Sequence, residues 1–185
     1  DGAMTPFQAS HSTSTPFSFR VCTPGTSSER CAVVIASTLM AGLDCCDTTA
    51  SAGSIGQTAE LKTTGLLETN SRNGTVLNEP TNAVAAFKAA STVTGNVELT
   101  TVGIMNVQGV TTAGGDIKIV DTGGMRTTGL IKATNGSASL TANSPLEIGP
   151  DGIEATGNIT LLATNLTSAG NITLNGNVTS SGGSV

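Results

Sequence analysis

A five-residue phrase led by glycine returns along this chain at a nearly fixed interval, and that period restricts the fold more than any other feature. Gly95-Asn96-Val97-Glu98-Leu99, Gly115-Asp116-Ile117-Lys118-Ile119, Gly136-Ser137-Ala138-Ser139-Leu140 and Gly157-Asn158-Ile159-Thr160-Leu161 are its plainest copies. Weaker copies start at Gly53, Gly74 and Gly176, so the leading glycines step by 21, 21, 20, 21, 21 and 19 residues. Such a period marks a stack of small units, none of which buries its apolar face alone.

Inside the phrase the chain alternates. The second position after each leading glycine is apolar, at Ile55, Val76, Val97, Ile117, Ala138, Ile159 and Val178. Leu99, Ile119, Leu140 and Leu161 repeat that choice two residues on, with Glu98, Lys118, Ser139 and Thr160 between. One face therefore turns inward and the other to water, as in a strand. A second apolar group follows in each period (Ile104, Leu146, Leu166) and then a third (Leu66, Phe87, Leu130, Ile172), several after a further glycine such as Gly65, Gly129 or Gly170. Three strand-sized groups per period predict one triangular coil of a right-handed parallel β-helix, an all-β solenoid with about 20–21 residues per coil. Roughly seven coils from Gly53 onward would make a rod of about 33 Å. The leading glycines Gly53, Gly74, Gly95, Gly115, Gly136, Gly157 and Gly176 are placed at its corners, where positive φ costs them little. Asn or Asp beside them tolerates the same geometry. The Ala-rich stretch 82–90 leaves two helical turns open as an alternative.

Composition agrees with a narrow interior. Trp and Tyr are absent, only four Phe occur, and 37% of residues are hydrophobic, so Val, Ile, Leu and Ala must fill the core. That fraction, with only 11% charged residues, argues against disorder. A net charge of -5 and eight scattered basic residues exclude a nucleic-acid partner of ordinary type. No apolar run approaches the roughly 18 residues of a membrane span, so no membrane insertion is expected. The stretch 31–43 is too short for one and lies too far along the chain for a signal-peptide core.

The first 50 residues do not carry the repeat cleanly. Asp1 to Met4 read as a cloning remnant, residues 5–50 as an irregular cysteine-containing segment, and residues 51–185 as the repeats. Pro6, Pro16 and Pro24 mark loops, while Phe17, Phe19 and Val21 alternate like a half-buried strand. One period before Gly53 lies Ala32, inside a β-branched run. The segment is expected to add an irregular rung or to cap the stack.

Candidate chemistry is sparse. Cys22, Cys31, Cys45 and Cys46 lack the paired spacing of a zinc module, and His11 reads as a solvated residue with no catalytic partner. Disulfides are the commoner use of such cysteines in a secreted segment. Pairing Cys22 with Cys31 and Cys45 with Cys46 is favoured because the first closes a short Pro-Gly loop; crossed pairings stay open, since adjacent cysteines pair only with strain. Asp116 with Asp121, and Glu147 with Asp151 and Glu154, are the carboxylate groups nearest to glycan-processing chemistry, but no basic residue is adjacent in sequence and Lys132 stands alone. Gly114-Gly115-Asp116 does not recur as a calcium repeat would. Asn-x-Ser/Thr tripeptides begin at Asn73, Asn135, Asn158, Asn165, Asn171 and Asn177, and a structural use at corners is favoured over glycan attachment. Outward threonines such as Thr160 and Thr173 do not form an unbroken ice-binding array, because Glu98 and Lys118 take that place in other coils. No catalytic residue, cofactor or metal is assigned.

Ala52-Gly53-Ser54-Ile55-Gly56, Gly95-Asn-Val-Glu-Leu, Ala113-Gly-Gly-Asp-Ile117, Asp151-Gly-Ile-Glu-Ala155 and Ala169-Gly-Asn-Ile-Thr-Leu174 resemble the shaft repeats of filamentous-haemagglutinin-type adhesins, large bacterial surface proteins exported by two-partner secretion. The resemblance covers residues 51–185 and implies a secreted or surface-tethered β-helix that presents a distal binding or toxin domain. It also implies a host or neighbouring-cell ligand, protein or glycan, and an outer-membrane secretion partner. The family's Asn-Pro-Asn secretion motif is absent, so the resemblance places this segment further along the shaft, and no Arg-Gly-Asp tripeptide supports integrin binding. Shaft repeats have no fixed ligand motif, so no position carries over as a binding residue. A β-helical polysaccharide-processing enzyme is the alternative. End-to-end self-association is expected of an uncapped rod.

Overall fold

A computed structural model describes residues 33–35, 45–50, 53–165 and 171–185. Those residues contain no helix and wind as a parallel β-solenoid of about six turns from Gly53 onward, preceded by the two strands of one further coil. The first coil contributes β1 (Val33–Ile35) and β2 (Cys45–Ala50), and the next three contribute a short strand and a long one each. These are β3 (Ile55–Gln57) and β4 (Lys62–Ser71), β5 (Thr75–Leu77) and β6 (Ala83–Ser91), then β7 (Val97–Thr101) and β8 (Met105–Thr112). Later coils hold three strands. They are β9 (Ile117–Asp121), β10 (Met125–Thr127) and β11 (Ile131–Ala133); β12 (Ala138–Ala142), β13 (Leu146–Ile148) and β14 (Ile153–Ala155); and β15 (Ile159–Ala163), β16 (Ile172–Leu174) and β17 (Val178–Ser180).

The first strand of each coil builds a 7-stranded sheet in the order β1-β3-β5-β7-β9-β12-β15. The remaining strands form a second sheet that forks at β8. Met105 at the start of β8 lies opposite Met125 of β10, while Val110 near its end lies opposite Ile131 of β11. The triangular coil is thus complete from β9 onward. In β4 and β6 the same bend is made by register shifts between Thr63 and Leu66 and between Phe87 and Ala89, without breaking the strand. A bulge of this kind bends a strand and keeps most of its ladder.

Inward rows run along the stack. Val97, Ile117, Ala138 and Ile159 lie in one register, and Leu99, Ile119, Leu140 and Leu161 in the next inward one. Glu98, Lys118, Ser139 and Thr160 run between them on the outside. Leu67, Phe87 and Val107 make a third buried row, with Phe87, the one aromatic among the described residues, in its middle. Full burial of a Leu or Ile side chain stabilises by about 1.5–3 kcal/mol, so rows rather than single contacts hold the coils together.

Several expectations shift by one residue or one coil. The stretch 82–90 is strand β6, not helix, because its side chains register against β4 and β8 and alternate with their buried rows. Thr75, not Val76, faces inward opposite Val97, and Val76 is exposed. The buried hydroxyl is tolerated because Thr75 Oγ1 lies 3.3 Å from Ser71 Oγ and 3.4 Å from Thr69 Oγ1. Met105 and Ile131 take the inward places expected of Ile104 and Leu130, and Ile104 is 84% exposed at a corner. Ile172 sits opposite Leu146, so it belongs to the second apolar group and not the third.

The seventh leading glycine is also reassigned. Val178 lies opposite Ile153 in β14, and a Cβ on Gly176 would overlap the carbonyl of Gly149, so Gly176 occupies a different corner from Gly157. The place above Gly157 belongs to Gly183, whose neighbour Ser184 accepts a hydrogen bond from the Ile159 N–H at 2.8 Å. Six coils, not seven, therefore follow Gly53. Positive φ, expected at every corner, occurs at Gly74, Gly95 and Gly115 but not at Gly136 or Gly157. At Gly136 the requirement is space, since a Cβ would overlap the Gly115 carbonyl of the coil below.

The extra rung expected before residue 50 is present as β1 and β2, with Val33 opposite Ile55. A cap over that rung would fall on residues outside the described set.

Candidate functional site

The residue after each leading glycine does more than fit a corner. Asn96 Oδ1 accepts the Asp116 N–H at 3.0 Å, and Asp116 Oδ1 accepts the Ser137 N–H at 2.8 Å. Ser137 Oγ then accepts the Asn158 N–H at 3.2 Å, and Asn158 Oδ1 accepts the Ser184 N–H at 2.9 Å. One side-chain oxygen per coil thus satisfies a corner amide of the next coil, which no strand ladder reaches. Sequence reading caught the tolerance of Asn and Asp at this position and missed the ladder. The signal was the unbroken Asn, Asp, Ser, Asn series of short acceptors after glycine.

Asn82 was missed as an individual and ties three coils from inside. It is fully buried, and its Oδ1 accepts the Leu61 N–H at 2.8 Å. Its Nδ2 donates to the Leu77 carbonyl at 3.2 Å and the Thr100 carbonyl at 3.0 Å, while Gln57 covers the same amide through its own. A buried amide with all its capacity used costs little and fixes geometry.

Outward positions carry charge pairs between coils. Lys88 Nζ reaches Glu68 at 2.8 Å, Lys132 Nζ reaches Glu154 at 2.7 Å, and Arg126 Nε lies 3.7 Å from Glu147, which also accepts from Asn175 at 3.0 Å. Lys132, expected to stand alone, is therefore paired; the partner is one coil away and invisible to a local search. All are exposed or nearly so, and such pairs contribute about 0–1 kcal/mol. Lys62 also holds the exposed Glu60 carboxyl below its usual range, through a hydrogen bond and its charge.

The candidate carboxylate groups are not brought together. Asp116 is exposed at its corner, whereas Asp121, at the other end of β9, is 2% exposed and faces the interior. Burial raises the Asp121 carboxyl from 3.8 to about 6, against the lowering effect of a 2.9 Å hydrogen bond from the Gly123 N–H to Oδ1. Its Oδ2 is buried without a partner. Glu147 and Glu154 engage cations on different strands, and Asp151 lies exposed in the turn between them.

Asn73, Asn135 and Asn158, at the head of glycan-acceptor tripeptides, bond to neighbouring coils, Asn135 Nδ2 donating to the Ala113 carbonyl at 2.8 Å. This is the structural use favoured for them. Cys22, Cys31 and His11 lie outside the described residues, as does any disulfide pairing; Cys45 and Cys46 begin β2, in register with Leu66 and Leu67. Among the described residues no three His, Cys, Asp or Glu side chains cluster as metal ligands, and no helix is long and apolar enough to cross a membrane. Comparison with family models, curated proteins and solved structures returns no match.

Proposed function

We propose that this chain is a shaft segment of a secreted bacterial surface adhesin of the filamentous-haemagglutinin type, which holds a distal binding or toxin domain away from the cell and performs no catalysis itself. The observation that carries this reading is the corner ladder. From Asn96 to Ser184 the side chains at the repeat's most regular position are spent on joining coil to coil, as a load-transmitting rod requires. The shaft resemblance over residues 51–185 adds export through an outer-membrane partner and a protein or glycan ligand on a host or neighbouring cell. Expressing these coils behind a two-partner secretion domain, with its transporter, tests it: cell-surface exposure to added protease is expected, and retention inside the cell would contradict it.

A second reading, a β-helical polysaccharide-processing enzyme, gains from one observation. Arg126 beside Glu147 and Lys132 beside Glu154 supply cations that sequence order hid. Turnover of acidic or neutral glycans, with or without calcium, that is lost in Asp116→Ala, Asp151→Ala or Glu147→Ala would establish it over the adhesive reading.

A further inference from the structure

Charge is settled within the rod on the second sheet and left open on the first. Lys88 reaches Glu68, Arg126 lies beside Glu147 and Lys132 reaches Glu154, each across neighbouring coils. On the first sheet Glu98 of β7 and Lys118 of β9 are register neighbours, one strand apart. Glu98 instead accepts from its own corner, where Asn96 Nδ2 donates at 3.1 Å. Among the described residues Lys118 forms no ion pair, and it is exposed.

The face around these two side chains is otherwise uncharged. Val76 and Ser139 flank them in the same column, and Thr100, Val120 and Thr141 form the next one. No other outward position of β3, β5, β7, β9, β12 or β15 carries a charge. The face is therefore neutral on a chain whose net charge is -5, so copies of the chain repel one another least here.

Two copies of such a face can meet about a two-fold axis in two ways. An axis along the rod keeps every coil at its own level, so Glu98 meets Glu98 and Lys118 meets Lys118, a juxtaposition that suppresses binding. An axis along the strands, midway between β7 and β9, inverts the levels. Glu98 then meets the partner's Lys118, and Lys118 the partner's Glu98. Val76 falls opposite the partner's Ser139 and Thr100 opposite the partner's Val120, so small or apolar side chains face each other around the charges. Sheets packed face to face lie about 10 Å apart, a gap that a Glu and a Lys side chain span together.

We infer that the outer face of the first sheet is a docking surface for the same face of a second copy, laid antiparallel along the rod about the strand-directed axis. Two charges without an ionic partner inside the rod become two ion pairs between copies. Six strands at about 4.8 Å and five residues at about 3.3 Å give a footprint of about 29 by 16 Å on each copy. That lies at the small end of specific contacts, so the dimer is weak and reversible. The inference is independent of the adhesive reading, since it depends on this outer face alone.

Sedimentation of the full chain from about 5 to 1000 µM in reducing buffer tests it. A monomer–dimer equilibrium is expected, and raised salt should weaken it. Glu98→Lys or Lys118→Glu alone places like charges across the contact and should weaken dimerisation at least tenfold, with an unchanged circular-dichroism spectrum. Mixing the two variants should restore association, because each then meets a face of opposite charge. A monomer throughout the range, a dimer indifferent to the single reversals, or a mixture that stays monomeric overturns the proposal.

Discussion

The coil built from β12, β13 and β14 and the coil built from β15, β16 and β17 carry the same phrase, yet their environments differ. Leu140, Leu146 and Ile148 are fully buried, while their counterparts Leu161, Ile172 and Leu174 are partly or largely exposed. Sequence thus specifies the strand, and neighbours on both sides supply the stability. A solenoid is close to one-dimensional in this sense: each coil is held by its own folding terms plus two interfaces. Among the described residues the β15–β17 coil pairs on one side only, and substitutions should cost less there than inside.

The largest effect is expected where coils touch backbone to backbone. Gly95 has φ of 90°, and a Cβ on it would overlap the Asn73 carbonyl of the coil below. Gly95→Ala should destabilise by about 3 kcal/mol or more, or abolish cooperative unfolding in urea. Gly56→Ala, where a Cβ meets nothing within 4 Å, should stay within about 0.5 kcal/mol of the parent. Equal costs at both sites would remove the close approach of coils as the reason for glycine.

Next comes the direct contrast of inner and terminal coils. Leu140→Ala should cost about 2–5 kcal/mol, as for a core Leu, and Leu161→Ala about half as much because its site is already open on one side. Chemical-denaturation midpoints of the two variants measure the difference, and a larger loss at Leu161 would reverse the comparison.

Asp121 adds a pH dependence that belongs to an inner coil alone. Its folded-state value of about 6 exceeds its ordinary 3.8, so the folded chain holds this proton more tightly than the unfolded chain. The resulting stability is fully present below about pH 4 and is lost as pH rises through about 6. Asp121→Asn should flatten that slope and gain about 1–2 kcal/mol at pH 7. Urea midpoints at pH 4, 5 and 7 read it; parallel curves for parent and variant would place the carboxyl in water.

The smallest effect is expected at the exposed corner. Asp116→Ala leaves the Ser137 N–H without its acceptor and should cost about 1 kcal/mol, with Asp116→Asn recovering most of it. Hydrogen exchange at Ser137 is the local check: unchanged protection in the alanine variant would show that the ladder is not formed in solution.

The period and the alternation were legible because they depend on chemistry within a few residues. Val97, Ile117, Ala138 and Ile159 fall in one register as their spacing predicts. What failed was register at the two least regular places. Thr75 beats Val76 for the interior because Ser71 and Thr69 receive its hydroxyl, contacts made across a turn that apolarity alone does not predict. Val178 looked like a first strand because Gly176-Asn-Val imitates the phrase, although the last coil is longer and its true successor glycine is Gly183. The charge pairs were hidden for a third reason. Residues about one period apart, such as Lys132 and Glu154, become neighbours only once the coil length is known.

A distance across several coils tests the stack most directly. Val76, Glu98, Lys118, Ser139 and Thr160 occupy successive outward positions, so four inter-strand steps of about 4.8 Å separate Val76 from Thr160 by about 19 Å. Spin labels at positions 76 and 160, in a chain whose native cysteines are replaced by serine, should give a narrow distance distribution near about 20 Å. A broad distribution, or one centred beyond about 35 Å, would contradict parallel coils in this register.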